Sequence, residues 1–122
     1  MTNVIVLAGR LTADSTLQFI NNGGSAVCNF NLANNRKEAS GEETTYMGIV
    51  IFGNYAEKMH PHLTKGVTVT VVGKLVQKEW TTDGKQVPTY KVYAKEIDFR
   101  IPKNMQPTFI EEKTEKGDDK NE

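Results

Sequence analysis

Three aromatic side chains and a few lysines are the residues of this sequence that could act together on a ligand. Tyr46 and Phe52 bound one apolar stretch, and Trp80, the single tryptophan, closes another in which alternation puts Lys74 and Lys78 on its own face. An aromatic ring offers a flat π-face on which a base can stack, and a lysine offers a cation for a phosphate. Rings interleaved with lysines therefore indicate a surface for single-stranded nucleic acid.

The same rings also have a simpler interpretation, in which they belong to a core or to a subunit interface. Stacking contributes about 1–3 kcal/mol per base, so three rings would supply about 3–9 kcal/mol before ordering costs. About 8 kcal/mol corresponds to micromolar affinity, and linked copies of a domain raise that affinity through effective concentration. The stacking interpretation therefore favours an oligomer.

Catalytic, metal and cofactor sites have little support in the sequence. His60 and His62 flank Pro61 without a nearby cysteine or paired carboxylate, so a structural or surface role is favoured over a metal site. The Gly23-Gly24 pair lacks the lysine and helix of a phosphate-binding loop. No nucleophile has a recognisable base. We therefore predict a protein that is not an enzyme and that has no catalytic residue, metal or cofactor.

Length and composition fit one soluble globular domain. The chain has 122 residues, of which 38% are hydrophobic and 25% charged. No apolar run approaches the roughly 20 residues that a membrane-spanning helix needs, and the N-terminus lacks the features of a signal peptide. The single cysteine, Cys28, cannot form an internal disulfide and is most simply a small core residue. The expected location is the cytoplasm, in association with the nucleoid.

The net charge of zero hides an uneven distribution of charged residues. Residues 1–103 contain 12 basic and 9 acidic residues, whereas residues 104–122 contain 3 basic and 6 acidic ones. A mildly basic body suits a nucleic-acid binder. We predict that residues 1–103 form the domain and that residues 104–122 form a flexible acidic tail.

Hydrophobic periodicity predicts five main strands, a short strand-like segment and one helix. Alternating or nearly continuous apolar segments indicate the strands. An apolar stripe at helical spacing indicates a helix over residues 54–63, where Asn54 and Glu57 have the spacing of a capping box and Pro61 disturbs the last turn. The main strands cover residues 3–11, 25–34, 45–53, 67–80 and 87–101, and the short segment covers residues 17–20.

This order places the helix between the third and fourth main strands. It is the order of an all-β, five-stranded oligonucleotide/oligosaccharide-binding (OB) barrel, although another small barrel would also fit. Within the strand over residues 45–53, Met47, Ile49 and Ile51 share an aliphatic face that we expect in the core. Tyr46 and Phe52 share the other face, about 20 Å apart.

Several segments of the chain, in their order and spacing, resemble the bacterial single-stranded DNA-binding proteins. The resemblance extends over about residues 3–101, and no single segment is specific by itself. The matching segments are residues 4–11 with Asp14, 22–24, 30–33, 45–46, 50–53, 56–57, 63–66, 71–75 and 78–80.

The resemblance implies an OB fold, usually in a homotetramer, that binds single-stranded DNA with little sequence preference. It also implies that the protein protects and organises such DNA in replication, recombination and repair. The apolar first strand matches a usual subunit-pairing surface. The family's stacking positions match Tyr46, Phe52 and Trp80. Its basic contacts would fall on Arg36, Lys37, Lys65, Lys74 and Lys78, of which Lys65 and Lys78 stand where the family is usually basic.

The sequence departs from the family pattern in two places. Residues 36–38 lack a further aromatic ring found in some members, which predicts weaker binding or a shorter wrapped length. The C-terminus is acidic but lacks the terminal Pro-Phe tip that recruits replication and repair enzymes in typical members, so the resemblance leaves these partners open. A phage, plasmid or accessory member, or a truncated chain, would each account for this end.

Two other functions stay open on the sequence. One is a dimeric primosome accessory protein of the same fold, which would bind DNA and helicase-loading partners. The other is a protein-interaction OB module, in which the three rings are buried at a subunit interface. Assembly stoichiometry distinguishes the first alternative, and alanine substitution of the rings distinguishes the second.

Overall fold

The computed structural model describes residues 1–99. Residues 100–122, which include the predicted end of the last strand and the predicted acidic tail, lie outside the described residues. The elements are β1 (Ile5–Leu11), β2 (Thr16–Ile20), β3 (Ser25–Glu38), β4 (Gly41–Phe52), α1 (Gly53–Met59), a 3₁₀ turn (His60–His62), β5 (Thr68–Thr82) and β6 (Lys85–Asp98).

Five of the strands close into a barrel. β1 pairs antiparallel with β5 on one side and with β3 on the other, β3 pairs with β4, and β5 pairs with β6. A short parallel ladder, in which residues 48–50 of β4 pair with residues 91–93 of β6, completes the ring. β2 pairs only with β3 and lies outside the ring. Because α1 lies between the third and fourth barrel strands, the predicted OB architecture is confirmed.

Inward-facing aliphatic side chains fill the barrel. Ile49 and Ile51 are fully buried, and Met47 packs against the same cluster, as the alternation along this strand predicts. Cys28 is fully buried in this core, and α1 adds Ala56 to it. Burial of such side chains contributes about 25 cal/mol per Å² of apolar surface and is the main stabilising term of the fold.

A bulge in β6 changes which of its side chains face the core. Residues 72 and 73 of β5 pair with residues 96 and 94 of β6, so Lys95 is an extra residue in the ladder. Val92 and Ile97 are therefore both buried, which a strict alternation of the strand does not allow. A Cβ atom at Gly73 would collide with the carbonyl oxygen of Tyr93, so the close approach of the two strands requires glycine there.

The hairpin of β3 and β4 extends further than the sequence predicts. The predicted strands end at residue 34 and begin again at residue 45, but the ladder continues until Glu38 lies opposite Gly41. Polar side chains on both faces leave no alternation by which these strand ends could be recognised. Residues 35–44, all of which are exposed, form what we call the hairpin arm.

The helix is shorter than predicted and begins differently. Its N-cap is Phe52, which makes no side-chain cap hydrogen bond, so the predicted capping box of Asn54 and Glu57 is wrong. Gly53, at φ +73°, turns the chain directly from β4 into α1. Pro61 lies in the 3₁₀ turn that follows, which confirms the predicted irregular end. Among residues 1–99, no helix has the length and apolar composition to span a membrane.

Candidate nucleic-acid interface

One outer face of the barrel gathers aromatic side chains from three strands. Residues opposite each other in a sheet project to the same side. The register pairs Val50 of β4 with Tyr93 of β6, and Tyr93 with Lys74 of β5. Because side chains alternate along a strand, Tyr46 and Phe52 of β4 and Trp80 of β5 project to this same side. We call it the aromatic face and define it by its four rings, Tyr46, Phe52, Trp80 and Tyr93.

The three predicted rings are exposed to solvent in the single chain. Tyr46, Phe52 and Trp80 keep 69%, 46% and 67% of their accessible surface. The rings are therefore not part of the core. Several exposed rings on one face of a domain indicate an interaction surface, for a ligand or for another subunit.

Phe52, Trp80 and Tyr93 line one groove of about 370 Å³ on the aromatic face. Val50 and Val76 give this groove an apolar floor. The rings of Phe52 and Tyr93 are in edge-to-face contact, with centroids 5.1 Å apart and planes at 62°. This contact favours one relative orientation of the two rings in the groove.

Sequence reasoning does not single out Tyr93 or its neighbour Lys91 as ligand-binding residues. The available signal is their alternation in the last predicted strand, which puts both on one side of that strand. Alternation within a strand does not show that this side adjoins Phe52. The parallel pairing of β4 with β6 brings the side that carries Lys91 and Tyr93 next to Phe52, and this pairing forms only when the barrel closes.

Three lysines lie among the rings. Lys78 and Lys91 line the same groove as Trp80. Lys74 is the cross-strand partner of Tyr93. The predicted basic residues Lys74 and Lys78 are therefore brought together with the rings, and Lys91 adds a cation between β4 and β5.

Two further predicted basic residues lie on the hairpin arm, on opposite sides of it. Lys37 is on the same side as Tyr46 by alternation along the register. Arg36 is on the other side, where its guanidinium donates to Glu38 Oε2 at 3.2 Å and to Thr45 Oγ1 at 2.7 Å. Arg36 is thus held away from the side that carries the rings, although its side chain is partly exposed.

Lys65 lies in the loop between the 3₁₀ turn and β5. Its backbone N–H donates to Asp14 Oδ1 at 2.8 Å, and its side chain is exposed. Asp14 lines a second groove on the barrel surface, which Lys91 also lines. Lys65 therefore lies near the border of this second groove and does not line the groove of Phe52, Trp80 and Tyr93.

The histidines and the cysteine have structural contacts. Residues 1–99 contain no cluster of three histidine, cysteine or acidic side chains that could hold a metal ion. His60 Nδ1 shares a hydrogen bond of 2.8 Å with the hydroxyl of Ser15, which is only 6% exposed. Burial raises the pKa of the Cys28 thiol, and a hydrogen bond with Ser15 opposes part of that rise. Ser15 therefore links the side chains of His60 and Cys28 inside the fold.

Comparison with known families identifies the chain. A family model described as "Single-strand binding protein family" matches residues 2–100. The chain belongs to the single-strand binding protein family. Membership fits the closed barrel, and the match covers every element of the described structure.

Several relatives of this single-strand binding family member align with most of its length. A single-stranded DNA-binding protein of Treponema pallidum is 36% identical over 101 residues, which are 80% of this chain and 57% of that protein. A protein of the same name from Staphylococcus aureus is 36% identical over 112 residues, or 88% of this chain and 71% of that protein. Single-stranded DNA-binding protein 2 of Clostridium acetobutylicum is 35% identical over 100 residues, or 80% and 75%. The chain thus spans little more than half of the Treponema protein.

Proposed function

We propose that this protein binds single-stranded DNA with little regard to sequence, by stacking bases on Tyr46, Phe52 and Trp80. The observation that carries the proposal is that these three exposed rings share one outer face of an OB barrel with lysines. Every base has a π-face, so aromatic stacking tolerates any sequence. The names of the relatives support a binding function. We propose no catalytic activity for this chain.

The proposed phosphate contacts are the lysines beside the rings. Lys78 and Lys91 line the groove, and Lys74 lies opposite Tyr93. A lysine near a phosphate releases condensed counterions, so binding should weaken steeply as salt rises. Arg36, Lys37 and Lys65 are further proposed contacts, for a strand that continues onto the hairpin arm or the edge of the face.

We propose a homotetramer as the binding assembly, with a homodimer as the alternative. Val4 and Val6, before and within β1, are 63% and 65% exposed, which suits a surface for pairing subunits. Several barrels on one strand would raise affinity above that of a single set of rings. Such an assembly would protect and organise single-stranded DNA in replication, recombination and repair, in the cytoplasm at the nucleoid, with replication or repair proteins as further partners.

The test of this function is a fluorescence titration with oligo-thymidine. Trp80 is the only tryptophan, so its emission reports on the aromatic face alone. We expect strong quenching that saturates at a fixed number of nucleotides per chain and weakens with salt, and little quenching by a duplex of the same length. The absence of quenching at low salt would contradict stacking on Trp80.

Alanine variants of Tyr46, Phe52 and Trp80 separate the competing functions when the mass of the assembly is measured in parallel. Loss of DNA affinity with an intact assembly supports base stacking. Loss of the assembly instead supports a protein-interaction module whose rings are buried between subunits. A dimer that binds helicase-loading partners as well as DNA would favour the primosome accessory role.

A further inference from the structure

Tyr93 is the one tyrosine among the described residues that line the groove of Phe52 and Trp80. Its side chain is half-buried and in edge-to-face contact with Phe52, at a centroid distance of 5.1 Å. A tyrosine combines an apolar ring, which packs against its neighbours, with a polar hydroxyl at the tip of that ring. The ring of Tyr93 has a contact inside the protein, so the question is what its hydroxyl contacts.

Two tyrosine hydroxyls next to β6 have different environments. The hydroxyl of Tyr55, on α1, accepts a hydrogen bond from the backbone N–H of Ile97 at 2.7 Å, so it joins the helix to the barrel. The hydroxyl of Tyr93 has no hydrogen-bond partner within residues 1–99. A tyrosine hydroxyl usually has a partner when its ring is buried. The Tyr93 hydroxyl is therefore free to bind a ligand or water.

Two lysines flank Tyr93 on the aromatic face. Lys74 of β5 is its cross-strand partner, and Lys91 precedes it by two residues on the same side of β6. Both lysines are exposed, and neither forms an ion pair within the described part of the chain. Glu79 also lines the groove, but it is opposite Pro88, nearer the tip of the hairpin. The end of the groove at Tyr93 is therefore its cationic end.

We propose that the Tyr93 hydroxyl donates a hydrogen bond to a phosphate oxygen of the strand whose base stacks on Phe52. This proposal rests on the proposed binding of single-stranded DNA to the aromatic face. A tyrosine hydroxyl is a donor, and the charge of a phosphate oxygen strengthens the bond that it accepts. Opposite residues of an antiparallel pair have Cα atoms about 4.5–5.5 Å apart, so one phosphate can contact both Tyr93 and Lys74.

This role differs from that of a stacking ring and from that of a lysine. A stacking ring contacts a base and needs no hydroxyl. A lysine at a phosphate releases counterions, whereas a neutral hydroxyl adds affinity without adding to the salt dependence of binding. A hydrogen bond to a charged group is stronger than one between neutral groups, so we expect the loss of the hydroxyl to weaken binding about 10-fold.

The experiment compares the wild type with Tyr93→Phe, which removes the hydroxyl and keeps the ring against Phe52. Tyr90→Phe is the matched control, because alternation puts Tyr90 on the opposite side of β6, where it is 50% exposed. Dissociation constants are measured with oligo-thymidine over a range of salt concentrations. At low salt they are also measured with an abasic oligomer of equal length, which has the phosphates but no bases. Lys91→Met gives the change of salt slope that the loss of a cation causes, and urea unfolding gives the stability of each variant.

We expect Tyr93→Phe to bind both oligomers about 10-fold more weakly than the wild type, with an unchanged salt slope and unchanged stability, and Tyr90→Phe to bind like the wild type. Equal affinities of the wild type and Tyr93→Phe for oligo-thymidine would overturn the contact. A loss with oligo-thymidine alone would assign the hydroxyl to a base and overturn the phosphate contact. A salt slope lowered by about 0.7, as far as in Lys91→Met, would mean that the hydroxyl acts only through a lysine, which also overturns direct contact. If oligo-thymidine does not bind the wild type, the proposed function itself is wrong.

Discussion

Replacing Trp80 with alanine tests whether this ring contacts the ligand or supports the fold. The ring is 67% exposed, which corresponds to about 170 Å² of the roughly 250 Å² that a tryptophan can bury. A base covers one face, or about half of this area, and at about 25 cal/mol per Å² the contact contributes about 2 kcal/mol. This agrees with the about 1–3 kcal/mol of measured base stacking, and we expect roughly 30-fold weaker binding.

The stability of the fold should change less than the affinity. Trp80 lies opposite Val87 near the tip of the β5–β6 hairpin, away from the packed core. Its buried third is about 80 Å², which sets an upper limit of about 2 kcal/mol on the loss of stability. Alanine keeps the Cβ atom, and the unfolded chain already buries some apolar surface, so we expect the free energy of unfolding to fall by about 1 kcal/mol.

Leu75→Ala is the matched control for this experiment. Leu75 lies on the same strand but on its opposite face, and it is 36% exposed, so its loss should destabilise the domain at least as much without removing a stacking surface. Affinity is measured by the anisotropy of a labelled oligo-thymidine, and stability by urea unfolding followed by circular dichroism. Unchanged affinity in Trp80→Ala, or an equal loss in both variants, would refute the stacking role.

Three further predictions follow from contacts in the structure. In a double-mutant cycle on urea unfolding, Phe52→Ala and Tyr93→Ala should show a coupling of about 0.5–1.5 kcal/mol, because the rings are in edge-to-face contact, and zero coupling would argue against that contact. Lys78→Ala should reduce the slope of log affinity against log salt by about 0.7, because one phosphate contact is lost. The control Lys58→Ala, on α1, should leave the slope unchanged. Equal slopes in the wild type and in Lys78→Ala would exclude Lys78 as a phosphate contact. Burial raises the pKa of the Cys28 thiol above its ordinary value of 9.0. At pH values above 9.0 the unfolded chain therefore releases the thiol proton that the native state still holds. The free energy of unfolding should decline as the pH rises through this range. The Cys28→Ala variant should lack this part of the decline. Identical pH profiles of the free energy of unfolding for the wild type and the variant would contradict this prediction.

The sequence by itself determines the features that depend on neighbouring positions of one strand. Side chains alternate with a period of two, so the stretch around Ile49 separates into an aliphatic face and an aromatic face without knowledge of any partner strand. The exposure of Tyr46 and the burial of Ile49 agree with this separation. The order of strands and helix is local information of the same kind; it indicated a small barrel of the OB type without excluding another small barrel.

The tertiary structure decides what depends on pairing between distant strands. Lys91 and Tyr93 join the aromatic face because β6 pairs in parallel with β4, about forty residues earlier in the chain, and no local pattern specifies that neighbour. The bulge at Lys95 and the length of the hairpin arm also escape prediction, since both are fixed by backbone hydrogen bonds and not by side-chain hydrophobicity. Side-chain type and spacing therefore singled out Tyr46, Phe52 and Trp80 as candidate ligand contacts, whereas closure of the barrel determined that Lys91 and Tyr93 lie on the same face.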